Sequence, residues 1–344
     1  MASLKPGDRI NNYLLQERVG GGSFGEVWRA KHHVFNETVA IKVPTDPQYV
    51  RNLQREGMAI HGIRHPNIVR AMDLDPYSDP PYLIMEFVDG PSLRQAMDDF
   101  KGTFPIHAAG VILRGVLQAL AGAHEAGLIH RDIKPENILL EHPRDAVASI
   151  REQAVKVTDF GLGAVGGATS QSMMQSGSMM TEGGKSIAGT LAYMSPEQKE
   201  GLPLDARSDL YSCGIVLYEM VTGERPTGTD LPSSVRPGVP AYLDDVFRRS
   251  YTRLDRRLSC AKEMLAALLH DHRPPLPPAR PLLSREATSN CPVCHSAVER
   301  NDQFCIHCGE QLVAAVPRCP ACQAFVQSTD RYCIFCGKDL GVLA

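Results

Sequence analysis

Cysteine is almost missing from the first 290 residues, where only Cys213 and Cys260 occur. A surplus of either charge is missing too: 36 Lys and Arg face 39 Asp and Glu, a formal −3 over 344 residues. Without an overall basic field, nothing advertises nucleic acid or an anionic membrane as a partner. Long apolar runs are also absent by inspection; Ile215–Leu217 and Ala266–Leu269 end far short of the roughly 20 residues that span a bilayer. Residues 1–10 have neither an apolar core nor a small-residue cleavage pattern, so no secretory signal is expected. These absences lead to the expectation of a cytoplasmic protein. There thiols stay reduced, and clustered cysteines read as metal ligands before disulfides.

What is present divides the chain. Eight of the ten cysteines fall in residues 291–344, so the C-terminal part is built on a different principle from the rest. Just before them Pro274, Pro275, Pro277, Pro278 and Pro281 crowd into eight residues, a density that neither helix nor interior strand accepts. An extended spacer is expected over 273–290. Another biased stretch, Gly166–Ser186, consists mostly of Gly, Ser, Thr and Met and has no hydrophobic period, which predicts a loop.

Near the start, Val19-Gly-Gly-Gly-Ser-Phe-Gly-Glu-Val27 places Gly20, Gly22 and Gly25 in a G-x-G-x-x-G pattern. A P-loop would need Lys and Ser/Thr after the last glycine, and here Glu26 and Val27 follow. A dinucleotide fold would open a helix there, whereas Val27–Lys31 alternates like the second strand of a hairpin. What remains is a hairpin folded over the phosphates of ATP, which requires a lysine on the next strand. Val39-Ala40-Ile41-Lys42 supplies one. Glu56 lies in a predicted helix over Gln48–Ile60, with Tyr49, Leu53 and Ile60 on its apolar side. Tyr82–Val88 reads as a buried strand running into a loop, and His130-Arg-Asp-Ile-Lys-Pro-Glu-Asn137 precedes the apolar Ile138–Leu140. A strand-like Ala154–Val157 then leads to Asp159-Phe160-Gly161.

In this order the segments resemble the eukaryotic-type Ser/Thr protein kinases, over about 260 residues. The resemblance implies an α+β, bilobal fold spanning 10–272, with a β-rich N-lobe and a helical C-lobe. ATP would lie between the lobes, against Val19, Gly20, Gly22, Gly25, Val27, Ala40 and Lys42, with adenine on the backbone of Glu86 and Val88. Lys42 would pair with Glu56 and meet the α and β phosphates. Asp132 would orient the substrate hydroxyl and accept its proton, Lys134 would neutralise charge on the transferred group, and Asn137 and Asp159 would hold Mg²⁺ or Mn²⁺. Glu197, in Ser195-Pro196-Glu197 where the family more often has Ala-Pro-Glu, would pair with Arg257. Asp209 would hold the catalytic-loop backbone, and Cys213 belongs in the core. Lys134 and Thr190 fit the Ser/Thr branch. Arg131 implies control by a phosphate on the activation segment, with Thr181 and Ser186 as the nearest acceptors.

The C-terminal region carries an internal repeat. Cys291-x-x-Cys294, ten residues, and Cys305-x-x-Cys308 recur 28 residues later as Cys319, Cys322, Cys333 and Cys336. Ten of 22 aligned positions are identical, including Val298 with Val326 and Leu312 with Leu340. Each CxxC points two thiolates at one ion, and four satisfy tetrahedral Zn²⁺ with no open position. The pattern resembles double zinc ribbons, here 291–312 and 319–340. An iron site shares Cys₄ ligation, and disulfides are the remaining alternative. His295 and His307 are surplus to the ligand count. Four Lys and Arg against five acids in 291–344, with about −2 added by each Zn(Cys)₄ unit, do not make a phosphate-neutralising surface. Expected partners are therefore protein substrates and a protein bound by the ribbons, with neither nucleic acid nor membrane. The rival to an active kinase is a pseudokinase scaffold that presents the ribbons to other proteins.

Overall fold

A computed structural model describes residues 4–22, 25–100, 104–141, 149–160, 191–269 and 289–298, and in the C-terminal region 305, 307–312, 319–321, 326, 331–332 and 338–340. The chain divides into two compact units, Met1–Arg273 and Pro274–Ala344.

The first unit begins with a six-stranded antiparallel sheet made from β1 (Arg9–Ile10), β2 (Tyr13–Gly22), β3 (Gly25–His32), β4 (Thr38–Val43), β5 (Ala71–Asp75) and β6 (Tyr82–Glu86), in the order β1-β2-β3-β4-β6-β5. Alternation sorts the side chains. Trp28, Ala30, Val39, Ile41 and Ile84 turn to one face, where Ile10 and Leu15 close a small core. Ala40, Lys42, Leu83 and Met85 turn to the other face, which is continuous with the rest of the unit. Charge therefore enters the interior at one position of β4, and that position lies on the cleft side.

Helix α1 (Val50–His61) crosses this inner face with Asn52, Leu53, Glu56, Gly57 and Ile60 buried. It starts two residues later than expected. Pro47–Tyr49 forms a 3₁₀ turn, and Tyr49 is the N-cap rather than part of the apolar stripe. At Gly57 a Cβ would come within 2.8 Å of Leu74 Cδ2 and 3.2 Å of Leu83 Cδ1, so the missing side chain sets how closely α1 approaches the sheet.

The C-lobe is helical. Helix α2 (Leu93–Asp99) opens with a reciprocal capping box between Ser92 and Gln95. Helix α3 (Ile106–Glu125) is long and apolar enough by length and composition to cross a membrane, although no long unbroken apolar run marks it in the sequence. Burial accounts for its composition, because Ala108, Ile112, Leu113, Val116, Leu117 and Leu120 are all within 1% of complete burial. Helix α4 (Arg207–Thr222) is buried nearly all round, Cys213 included, and stops at Gly223 in a left-handed C-cap with φ 84°. Helices α5 (Ala241–Ser250) and α6 (Ala261–Leu269) pack against it. The catalytic loop feeds a two-stranded ribbon, β7 (Ile138–Leu140) with β8 (Val155–Val157). The backbone of 67–69 docks on β8 through Val69 N–H to Val157 O at 2.9 Å and Val157 N–H to Asn67 O at 2.8 Å.

In the second unit β9 (Ser289–Asn290) pairs with β10 (Ala297–Val298). Each repeat has its own miniature core: Cys291, Val298 and Cys305 with Leu312 in the first, and Cys319, Val326 and Leu340 in the second. The residues that recur in the sequence are the ones that pack.

Candidate active site and metal centre

Lys42 is 5% exposed and its Nζ lies 2.8 Å from Glu56 Oε2 and 2.8 Å from Asp159 Oδ1. Three elements meet here: β4 supplies the ammonium, α1 one carboxylate, and the turn after β8 the other. Burial pushes the Glu56 carboxyl up to about 8, against the pull of Lys42. Burial acts in the same direction on Asp159, but the Lys42 ammonium overrides it and holds Asp159 below the usual carboxylate range. Desolvation works against the charge on Lys42, yet the two carboxylates raise its pKa. Asp159 adopts φ 65°, an unusual conformation that turns its carboxylate toward the lysine.

A second cluster lies on the catalytic loop. Lys134 Nζ is 2.8 Å from Asp132 Oδ2, and Asn137 Nδ2 donates to Asp132 O at 2.8 Å and to its Oδ2 at 3.1 Å. Committing the amide nitrogen fixes the direction of the Asn137 oxygen, the atom able to ligate a hard cation. The loop is held from below by Asp209 of α4, whose oxygens accept from His130 N at 2.9 Å and Arg131 N at 2.7 Å. His124 Nε2 adds a third contact to Asp209 at 2.8 Å. His130 accepts from Asp132 N at Nδ1, so its Nε2 donates to Thr158 O at 2.9 Å, and its ring lies 4.5 Å from that of Phe160. The Asn137 oxygen and the Asp159 carboxylate offer the hard oxygen donors that a divalent cation takes. A divalent ion between Asn137 and Asp159 fits that donor set.

The glycine hairpin is β2–β3, with Gly20 opposite Val27 and Gly22 opposite Gly25. A Cβ on Gly25 would meet Val43 O at 2.4 Å, so this glycine is needed for packing on β4. Val27 and Ala40 line the inner face, Met85 and Val88 are buried, and Val19 is exposed. Glu86 ends β6, its N–H donating to Arg70 O at 3.0 Å and its carboxylate held by Lys156 at 2.6 Å.

Arg131 sits at φ 69°, its carbonyl accepting from Gln198 Nε2 at 2.7 Å. Its buried Nε has no partner among the described residues. Thr181, Ser186 and Thr190 lie outside the described residues. Glu197 and Arg257, 60 residues apart, form the expected pair at 2.6 and 3.2 Å, fully buried, with Ser208 Oγ donating to Glu197 at 2.8 Å.

No sequence motif marks Arg94, near the start of α2. Its Nε donates to Glu136 at 3.1 Å, and its Nη2 donates to Glu219 at 3.0 Å and to Tyr193 OH at 2.6 Å. Nor does one mark Lys156 on Glu86 or His124 on Asp209. These partners are separated by 42 to 125 residues and share no local pattern, so only the fold brings them together.

In the second unit the sulfurs of Cys291, Cys294, Cys305 and Cys308 lie within 4.8 Å of one another. Cys291 and Cys308 are 3.6 Å apart, and Cys294 and Cys305 are 3.5 Å apart. A tetrahedron with Zn–S bonds of about 2.3 Å has edges of about 3.8 Å, so these thiols fit zinc. Val293 N–H points at Cys291 Sγ at 3.4 Å, and Ala321 N–H does the same at Cys319, its repeat equivalent. Gly309, with φ 79°, makes the turn after the second CxxC. Cys322, Cys333 and Cys336 lie outside the described residues.

A β-sheet lobe over a helical lobe, with a buried Lys–Glu–Asp cluster facing an Asp–Lys–Asn loop, defines a protein kinase. Residues 13–273 match the protein kinase domain model, and the chain belongs to that family. Residues 291–337 match the double zinc ribbon model. Over 279 residues the chain is 39% identical to a probable serine/threonine-protein kinase of Clostridium perfringens, covering 75% of this chain and 38% of that protein. It is 34% identical over 311 residues to serine/threonine-protein kinase PknB of Mycobacterium tuberculosis, covering 83% and 47%. The chain thus spans less than half the length of either relative. The fold is that of the Mycobacterium tuberculosis PknI kinase domain, at a TM-score of 0.59 and 24% identity, covering 78% of this chain and 99% of that one.

Proposed function

We propose that the chain transfers the γ-phosphoryl group of ATP to serine and threonine hydroxyls of proteins. The observation that carries this reading is the completeness of the two clusters: Lys42, Glu56 and Asp159 on one side, Asp132, Lys134 and Asn137 on the other, each joined by bonds of 2.8–3.1 Å. Lys42, fixed by Glu56, presents its ammonium to the nucleotide phosphates. Val19, Gly20, Gly22, Val27 and Ala40 form the roof over the nucleotide, and the backbone of Glu86 and Val88 reads the adenine. Asp132 accepts the hydroxyl proton as the oxygen attacks, and Lys134 balances the charge that shifts onto the phosphoryl oxygens. Asn137 and Asp159 hold Mg²⁺ or Mn²⁺, which supplies electrostatic stabilisation of the transferring group. A phosphate-transfer assay with labelled Mg·ATP tests this. Asp132→Asn should lower the rate by about 10²-fold or more. Equal incorporation by wild type and variant, or none by either, would defeat the enzyme reading.

Control by phosphorylation of the activation segment is part of the same proposal, supported by the partnerless buried Nε of Arg131 among the described residues. Mass spectrometry after incubation with ATP should find phosphate between residues 166 and 190, at Thr181 or Ser186 before Thr190. An active enzyme free of phosphate there would refute it. The ribbons are proposed to hold one structural Zn²⁺ each and to bind a protein rather than nucleic acid, a role favoured by their acidic balance and by the exposure of Val293 and Tyr332. Residence in the cytoplasm fits ligands that must remain reduced.

A further inference from the structure

Arg94 is bonded to three segments at once. Its outer edge reaches Glu136, between Lys134 and Asn137 on the catalytic loop, and that carboxylate is about half exposed. Its inner edge enters a socket made by Glu219 of α4 and Tyr193, both buried. Tyr193 in turn donates to Glu219, and its carbonyl accepts from Ser212 Oγ at 2.8 Å. Two residues later Ser195 starts the capped turn whose Gln198 donates to the carbonyl of Arg131. Residues 193–198 are thus fastened to the catalytic loop at two places. One is Gln198 on Arg131; the other is Arg94, bridging Tyr193 to Glu136. A guanidinium suits the second place because its rigid fork serves three acceptors at once, which an ammonium on a flexible stem does not. Lys42 bonds instead to Glu56 and Asp159.

We propose that Arg94 is a positioning residue for the protein substrate: it holds the segment 193–198 in register with the catalytic loop and leaves the nucleotide side alone. This rests on the kinase reading above. A hydroxyl-bearing peptide must lie along Asp132, and the wall beside it is the segment that Tyr193 anchors. A small shift of that wall misplaces the attacking oxygen while ATP stays bound.

The experiment uses the full chain with dephosphorylated casein as acceptor and compares wild type, Arg94→Lys and Arg94→Met, with the unfolding midpoint of each measured alongside. For Arg94→Met, kcat/KM for casein should fall roughly 10- to 100-fold, with KM for ATP within about twofold of wild type. Arg94→Lys, which keeps the charge but not the fork, should recover only part of the loss. Guanidinium ion at millimolar concentration should restore casein phosphorylation to Arg94→Met and not to wild type. Should Arg94→Met fail to fold, Glu136→Gln, at the exposed end of the cluster, should shift casein and ATP parameters in the same unequal way by a smaller factor. Equal losses for casein and ATP, or no loss for casein, would overturn the proposal and leave the kinase reading standing. A wild type that transfers no phosphate would overturn both.

Discussion

Glu197 and Arg257 show how a single pair ties the C-lobe to pH. Burial alone would raise the Glu197 carboxyl, but the bonds from Arg257 and Ser208 bring it down to about 2 from 4.5. A depressed native pKa contributes stability that is fully present above pH ~4.5 and is lost as the pH falls through the native value. With both side chains nearly inaccessible, the contribution is about 3 kcal/mol. The stability gap between wild type and Glu197→Gln, measured by urea unfolding, should therefore be constant near neutrality. It should close as the pH drops from about 4.5 to about 2. Arg257→Met, which strands the carboxylate at neutral pH, should cost about 3–5 kcal/mol. At this scale the sequence was readable where residues fall in a recognised order, as Lys42, Glu56, Asp132, Asn137, Asp159 and Glu197 do. It was silent on Arg94 and Lys156, whose meaning lies wholly in partners from distant segments.

Helix α1 carries Glu56, the carboxyl partner that meets Lys42 from above the sheet, and Gly57 governs its height above the strands. Gly57→Val would drive new methyl groups against Leu74 and Leu83. The expected cost is about 1–3 kcal/mol from overpacking, with a raised KM for ATP as Glu56 is lifted from Lys42. Thermal unfolding and an ATP titration check the two effects. An unchanged KM would mean that the helix height does not govern the pair. Among elements, the strands were legible because alternation survives in β3 and β4, with Trp28, Ile41 and Ala40, Lys42 on opposite faces. The start of α1 was less so. The proline-led 3₁₀ turn at Pro47 has no periodic signature, and Tyr49 looks as apolar as the residues that do face the core.

Across the whole molecule two construction methods meet. The kinase unit owes its stability to a large apolar core and a smaller one on the opposite face of its sheet, whereas units of about 22 residues are far below the size at which burial suffices, so metal must supply their folding free energy. Millimolar chelator should release zinc, about two ions per chain by colorimetric titration if both repeats load, and abolish the ribbon fold. The main calorimetric transition and phosphate transfer to casein should survive. Loss of the main transition with the metal would refute independent stabilisation. The repeat was legible because eight cysteines recur at fixed spacing, while the character of α3 was not, since Arg114, Gln118 and its glycines break every apolar run. That helix has a consequence for synthesis. Ile106–Glu125 leaves the ribosome looking like a segment bound for lipid, and α4, one of the two later helices that shelter it, follows some hundred residues later. At about 5–20 residues per second, the nascent chain carries this unsheltered stretch for roughly 5–20 s, a window in which chaperones and membrane-targeting factors compete for it.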